Sequence, residues 1–428
     1  MGITFLVVAF TVLLLLRVPI AFAMGLASLG YIYWFMPATM PLTIIPQLMI
    51  AKPSSFPLMA IPFFVMVGEL MNASGISDRL VTLAKVAVGH LRGGMAMVSI
   101  VASAGMASFS GSSVANAVGT GSITIPAMKK QGYPPATAAA IESSASSLGT
   151  VIPPSISMVV YGSLTGVSIG GLFMAGYVPG VLSVIGLALV VRWIARRHGV
   201  PVTERQSWRE VSKAFVSALS ALAVPVIIIG GILIGVMTPT EAGAVGAAYT
   251  LVVAAVFFRS LGWADLFHAL RRTAVTSAVI LSVIATAAVL GYIMTYERIP
   301  AAAANALLGN LESEWAIMLV LVALLFVIGS FMETNAAIAI IAPIIIGITD
   351  GSNLDPLFVG VIVVAALALG VATPPVGVCL FVTAKLARTT IEKTSVAALP
   401  FVGVLMLVVV VLALLPEVVL FVPRLFGY

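Results

Sequence analysis

Ser110-Gly111-Ser112-Ser113-Val114-Ala115-Asn116 and Gly149-Thr150-Val151-Ile152-Pro153-Pro154 stand inside long apolar sequence, and the second half of the chain repeats the pair as Glu333-Thr334-Asn335-Ala336 and Gly370-Val371-Ala372-Thr373-Pro374-Pro375. Each pair joins a small polar cluster to a Pro-Pro break in an apolar helix. Both features are costly in a bilayer, where freed backbone groups find no water. A pair that occurs once per half implies a transporter whose site lies at the interface of two repeats.

The surrounding composition sets the class. Of 428 residues, 61% are hydrophobic and 8% charged, against roughly 25% charged in a soluble domain. The chain therefore reads as an all-α integral membrane protein, multi-pass. Its apolar runs are too long for the alternating strands of a barrel. The net charge of +6 does not point to nucleic acid, because the basic residues sit in short clusters between apolar runs and mark topology. Cys379 is the only cysteine, which excludes an intrachain disulfide and a thiolate metal cluster. His90, His198 and His268 are widely separated and do not suggest a metal site. The apolar N-terminus lacks a basic region and a clear cleavage site, and is read as a retained span.

Five segments follow. Residues 1–56 hold N-terminal scaffold helices, with apolar runs at 3–16 and 18–36 and a proline-broken surface stretch at 37–56. Residues 57–197 form the first repeat: a span, an amphipathic arm at 76–90, a hairpin at 95–128, a helix broken at 149–154 and a returning span. Residues 198–212 are a polar cytoplasmic linker. Residues 213–272 give two scaffold spans and a short amphipathic piece at 263–272. Residues 273–428 repeat the plan, with a span at 274–296, an arm at 298–311, a hairpin at 315–348, a broken helix at 358–384 and a last span at 395–415. Arg92, Lys129 and Lys130 flank the first hairpin, whereas Glu312, Glu314, Asp350 and Asp355 flank the second. The positive-inside rule then opens the first hairpin to the cytoplasm and the second to the outside, with both termini outside. Two like units in opposite orientation are inverted repeats.

Hydroxyls, amides and freed carbonyls at the tips and breaks suit a hard cation such as Na⁺. Half-helix N-termini favour carboxylates and C-terminal carbonyl ends favour cations. Two such sites would hold at least two sodium ions and help offset the charge of an organic anion. Against this stands simple packing, because Gly and Ser often only allow helices to approach in membranes; Gly105, Gly119 and Gly121 are read that way. Glu142 and Glu333, ionisable groups at membrane depth, are candidate functional carboxylates, each with the alternative of a satisfied structural carboxylate. A membrane enzyme would need an acid–base pair, an activated nucleophile or a metal, which the scattered histidines and single cysteine do not supply. A passive channel fits two broken helices less well than an alternating site does.

Phe109 to Ala117, Ser147 to Ser155 and Ala372 to Gly377, supported by Ile61-Pro62-Phe63-Phe64 and Gly68-Glu69-Leu70-Met71, resemble the large membrane subunit of tripartite ATP-independent periplasmic (TRAP) transporters over essentially the whole chain. The resemblance implies an elevator-type secondary transporter of the ion-transporter superfamily, in a bacterial inner membrane. Two re-entrant hairpins and two broken helices would form its mobile core, which moves against a static scaffold. It implies a first sodium site from Ser110, Ser112, Asn116, Gly149, Thr150 and Pro153. A second would come from Thr334, Asn335, Gly370, Thr373 and Pro375. Substrate would meet Ser113, Ser155, Glu333 and Thr334. No cofactor beyond Na⁺ as coupling ion is implied. The partners implied are a periplasmic binding protein that delivers an organic acid anion (a C4-dicarboxylate, sialic acid, sugar acid or keto acid) and a small four-helix membrane subunit, expected as a separate chain. A stand-alone Na⁺/anion symporter or antiporter of the same superfamily is the alternative.

Overall fold

The computed structural model describes residues 2–36, 43–197, 199, 204–309, 311 and 313–428. His198, Glu312, the start of the 37–56 stretch and part of the 198–212 linker lie outside the described residues. Within them the chain is helical and carries no strand. Among the described residues, seven helices are long and apolar enough to cross a membrane.

The first half runs α1 Gly2–Leu15, α2 Ile20–Phe35, α3 Ile44–Ala51, α4 Ala60–Ala73, α5 Ile76–Val88, α6 Met95–Ser110, α7 Ser113–Lys130, α8 Pro135–Ser146, α9 Ile156–Thr165 and α10 Ile169–Arg197. The second runs α11 Trp208–Leu233, α12 Pro239–Val252, α13 Trp263–Tyr296, α14 Ile299–Leu308, α15 Glu314–Phe331, α16 Thr334–Asp350, α17 Pro356–Gly370, α18 Val378–Ala387, α19 Ile391–Ala413 and α20 Pro416–Leu425. Local sequence sets many of the starts. Ser207 with Glu210, and Thr238 with Glu241, make capping boxes at α11 and α12, each satisfying backbone N–H groups that a helix start leaves unpaired. Ser112, Ser155, Glu333 and Asp355 cap α7, α9, α16 and α17 with their side chains.

Both hairpins and both broken helices are present as elements. The helix α8 ends in a short 3-10 turn at Ser147–Thr150, and the chain is non-helical until α9. The helix α17 stops at Gly370 and α18 starts at Val378. One expectation needs correction. The amphipathic piece at 263–272 and the span at 274–296 form one helix of 34 residues, so a boundary at 272 falls inside α13. Asp265 accepts from the Gly262 amide at its start, no Pro follows before Tyr296, and the one glycine, Gly291, lies near the far end and does not break the helix. Arg271 and Arg272 change the polarity of its face but leave the backbone ladder intact. At about 1.5 Å per residue this helix exceeds the roughly 30 Å of bilayer hydrocarbon. Beyond the last span, which ends before Pro416 as expected, the chain adds a separate amphipathic helix, α20, begun by Pro416 at its first turn.

The two halves superimpose in sequence register. A shift of 221 positions (370 minus 149) carries Gly149 onto Gly370, Pro135 onto Pro356 and Pro179 onto Pro400. These are the break, the first turn of the broken helix and the proline inside the following span. The halves then interlock rather than stand side by side. The second hairpin arm of each half packs on the second part of the other half's broken helix, α7 on α18 and α16 on α9. The Lys129 ammonium seals one crossing by donating to the Ala387 carbonyl at 3.0 Å. Around this interlocked core, α4 packs on α12 and α13 and α12 on α11, with α5 against α11 and α2 against α13.

Candidate translocation site

The interlock brings both polar tips to one cavity of about 460 Å³. Ser112, Ser113 and Thr150 border it from the first half, and Glu333, Thr334 and Asn335 from the second. Its opposite wall is α13, through residues such as Val275, Val279 and Val283, with the start of α2 beside it.

The first tip is seated on its own break. The Ser113 hydroxyl donates to the Ser147 carbonyl at 3.3 Å and lies 3.4 Å from the Thr150 hydroxyl, which in turn donates to the Ser147 carbonyl at 3.0 Å. Ser155 donates to the Thr150 carbonyl at 2.5 Å while accepting from the Met158 amide at the start of α9. One side chain therefore closes the break and caps the next helix. Gly149 makes the approach possible: a Cβ there would stand 2.9 Å from the Ser112 carbonyl carbon. The Ser110 hydroxyl bonds within its own turn, to the Ser112 carbonyl at 3.3 Å. The Asn116 amide turns back to the Ser103 carbonyl at 2.9 Å, so it ties the hairpin arms together and makes no hydrogen bond to the break. Pro153 is buried against α10.

The second tip is held differently. The Glu333 carboxylate accepts from the Asn335 and Ala336 amides at 3.0 and 3.1 Å and from the Asn335 side chain at 2.7 Å. The Asn335 side-chain carbonyl then accepts from Ser157 of α9 at 2.9 Å. The second tip thus bonds to the first half's broken helix. Its own break is joined through the backbone, the Val376 amide donating to the Ser330 carbonyl at 3.2 Å. Gly370 abuts Gly329 so closely that a Cβ would stand 1.9 Å from the Gly329 carbonyl carbon. Thr373 donates to the Leu369 carbonyl one turn back at 2.7 Å, and Pro375 is exposed. Thr334 is 0% exposed, borders the cavity, and its hydroxyl has no hydrogen-bond partner.

Sequence reasoning missed Ser147 and Ser157. Ser157 lies in ordinary apolar helix, and its role comes only from the crossing of the two halves. The charge pattern of the cavity is equally specific. The first residues of α7, α9, α16 and α18, namely Ser113, Ile156, Thr334 and Val378, all border it. Four partial positive ends therefore converge, that of α16 already met by the Glu333 carboxylate, while none of its described lining residues is Lys, Arg or His.

Two repeated helical halves that interlock around a cavity between polar hairpin tips define a membrane permease of the secondary-transporter kind. The chain belongs to the family described as tripartite ATP-independent periplasmic transporter, DctM component, whose pattern matches residues 7–418. It is 39% identical over 96% of its length to the isethionate TRAP transporter permease protein DctMQ of Oleidesulfovibrio alaskensis, of which it spans 65%. It is 34% identical to the 2,3-diketo-L-gulonate TRAP transporter large permease protein YiaN of Escherichia coli, covering 94% of each chain. With the C4-dicarboxylate TRAP transporter large permease protein DctM of Pseudomonas aeruginosa it shares 38% identity over 87% of each chain. The fold is also that of the Alcanivorax borkumensis YdaH transporter, whose crystal structure is described as having an unusual topology, with a TM-score of 0.62, 17% identity, and coverage of 87% of this chain and 88% of that one. The protein is accordingly a multi-pass inner-membrane permease and not an enzyme.

Proposed function

We propose that this permease imports an organic acid anion by a sodium-coupled elevator movement, receiving it from a periplasmic binding protein and working with a small membrane subunit. The observation that carries this reading is the charge pattern of the cavity: four helices begin at it, one of them capped by the Glu333 carboxylate, and none of its described lining residues is cationic. Oriented dipoles favour an anion, but each is worth only about half a charge. Bound cations would supply the rest, and small oxygen-bearing residues suit Na⁺. In this reading the first ion falls to Ser110, Ser112, Asn116, Gly149, Thr150 and Pro153, and the second to Thr334, Asn335, Gly370, Thr373 and Pro375. Substrate meets Ser113, Ser155, Glu333 and Thr334. The relatives named for isethionate, 2,3-diketo-L-gulonate and C4-dicarboxylates share an acid group and further polar oxygens, the chemistry such a cavity would recognise. Re-entrant hairpins of opposite orientation would let the site face either side of the membrane.

The test is uptake of labelled succinate, isethionate and sialic acid into proteoliposomes holding the chain and its small subunit, each with a matching binding protein outside. An inward Na⁺ gradient should drive accumulation, and replacing sodium by choline should abolish it. Full uptake by the chain alone would instead identify a stand-alone symporter.

A further inference from the structure

Glu142 of α8 is completely buried, and each of its carboxylate oxygens accepts from one hydroxyl of each arm of the first hairpin. Oε2 takes Ser99 of α6 at 2.5 Å and Thr124 of α7 at 2.6 Å. Oε1 takes Ser103 of α6 at 3.1 Å and Thr120 of α7. Ser99 and Ser103, like Thr120 and Thr124, are four residues apart and share a helix face. The Ser103 and Thr120 hydroxyls also lie 3.0 Å apart; each carries one proton, so a bond between them is an alternative to one of the bonds to Glu142. A carboxylate has about four acceptor positions, and here all are filled. Withdrawing either arm would strip a buried polar group of its partners, which is strongly unfavourable.

The second half has none of this. The 221-position register carries Ser99, Ser103, Thr120, Thr124 and Glu142 onto Val320, Leu324, Ile341, Ile345 and Val363. Val320 and Leu324 are 44% and 47% exposed, so α15 turns this face away from its own hairpin. Accordingly α15 packs on α17, α16 packs on α9, α13 and α14, and the two arms barely meet.

We propose that Glu142 is a positioning residue that locks the first hairpin to the first broken helix, so that this half of the cavity is preformed and the second hairpin is the wall that opens. The inference stands whichever ion or anion is carried. It is tested by hydrogen exchange of the full chain in lipid nanodiscs without substrate, comparing amides 111–118 with their counterparts 332–339. The first tip should exchange at least about tenfold more slowly. Glu142→Val should bring it to the rate of the second tip while peptides from α11 and α12 keep theirs. Glu142→Gln, which can still bond the four hydroxyls, should stay within about twofold of the native rate. If Glu142→Val does not fold, the five-residue replacement S99V/S103L/T120I/T124I/E142V supplies the apolar set of the second half and should show the same tip-confined rise. Equal rates at the two tips of the native chain would overturn the proposal, as would a folded Glu142→Val or five-residue protein whose first tip stays protected.

Discussion

The Thr334 hydroxyl is buried, borders the cavity and has no partner. An unsatisfied buried hydroxyl gives up water for nothing in return, so a fold tolerates it where a ligand completes it. Thr334→Val keeps the shape and removes the hydroxyl. Thermal unfolding should therefore stay within about 0.5 kcal/mol of the native protein, while the half-saturating sodium or anion concentration for uptake rises about tenfold, the equivalent of about 1.4 kcal/mol. A lowered melting temperature with unchanged uptake would assign Thr334 to structure. Gly149 makes the opposite case. Its neighbours at 2.9–3.0 Å are backbone atoms of Ser112 and Ser113, which cannot rotate aside. Gly149→Ala should cost about 1–3 kcal/mol by overpacking and reduce uptake because the tip is displaced; unaltered melting and transport would mean that the tip yields. The polar clusters and Pro-Pro breaks that mark these positions were legible in sequence, because polar residues and helix breakers stand out in apolar text. Glu142 stood out as well, but not its partners: Ser99, Ser103, Thr120 and Thr124 carry no signal of their own until three helices meet around one carboxylate.

Ser155 does two jobs between α8 and α9, capping the second helix and bonding the Thr150 carbonyl across the break. Ser155→Ala should lower stability by about 1–2 kcal/mol, the usual cost of losing a cap, read as a fall in unfolding temperature with the helical signal of the folded protein retained. No change would mean that water or a neighbouring group replaces the hydroxyl. Elements of this kind were readable where the chain carries its own punctuation: Pro135 and Pro356 at the starts of α8 and α17, and Gly149 and Gly370 at the breaks. They were misread where polarity changes without punctuation. The arginines before Ala274 suggested a boundary, yet nothing between Trp263 and Tyr296 interrupts the backbone hydrogen bonds.

No single half of the molecule contains the cavity. The Asn335–Ser157 bond joins opposite halves, as do the α7–α18 and α16–α9 crossings, and pairing of this range leaves no local trace in either sequence. The cavity wall opposite the tips comes from α13 and α2, helices that pack largely among the surrounding elements. If transport carries the interlocked core past that wall, tying wall to core must stop it. Thr276 of α13 and Val114 of α7 both border a smaller cavity of about 220 Å³ behind the first tip, next to the Arg272–Glu69 ion pair at 3.8 Å. Cysteines at these two positions, with Cys379→Ala to remove the one native thiol, can be joined by a short cleavable bis-maleimide. An elevator predicts that uptake falls at least about tenfold on cross-linking, because covalent attachment leaves the inward and outward positions mutually unreachable, and that it returns when the linker is cut. Each single-cysteine protein treated in the same way should transport normally. Uptake that persists through complete cross-linking would mean that the tips move against one another while the core stays where it is, which would replace the elevator by a local gate within the same cavity.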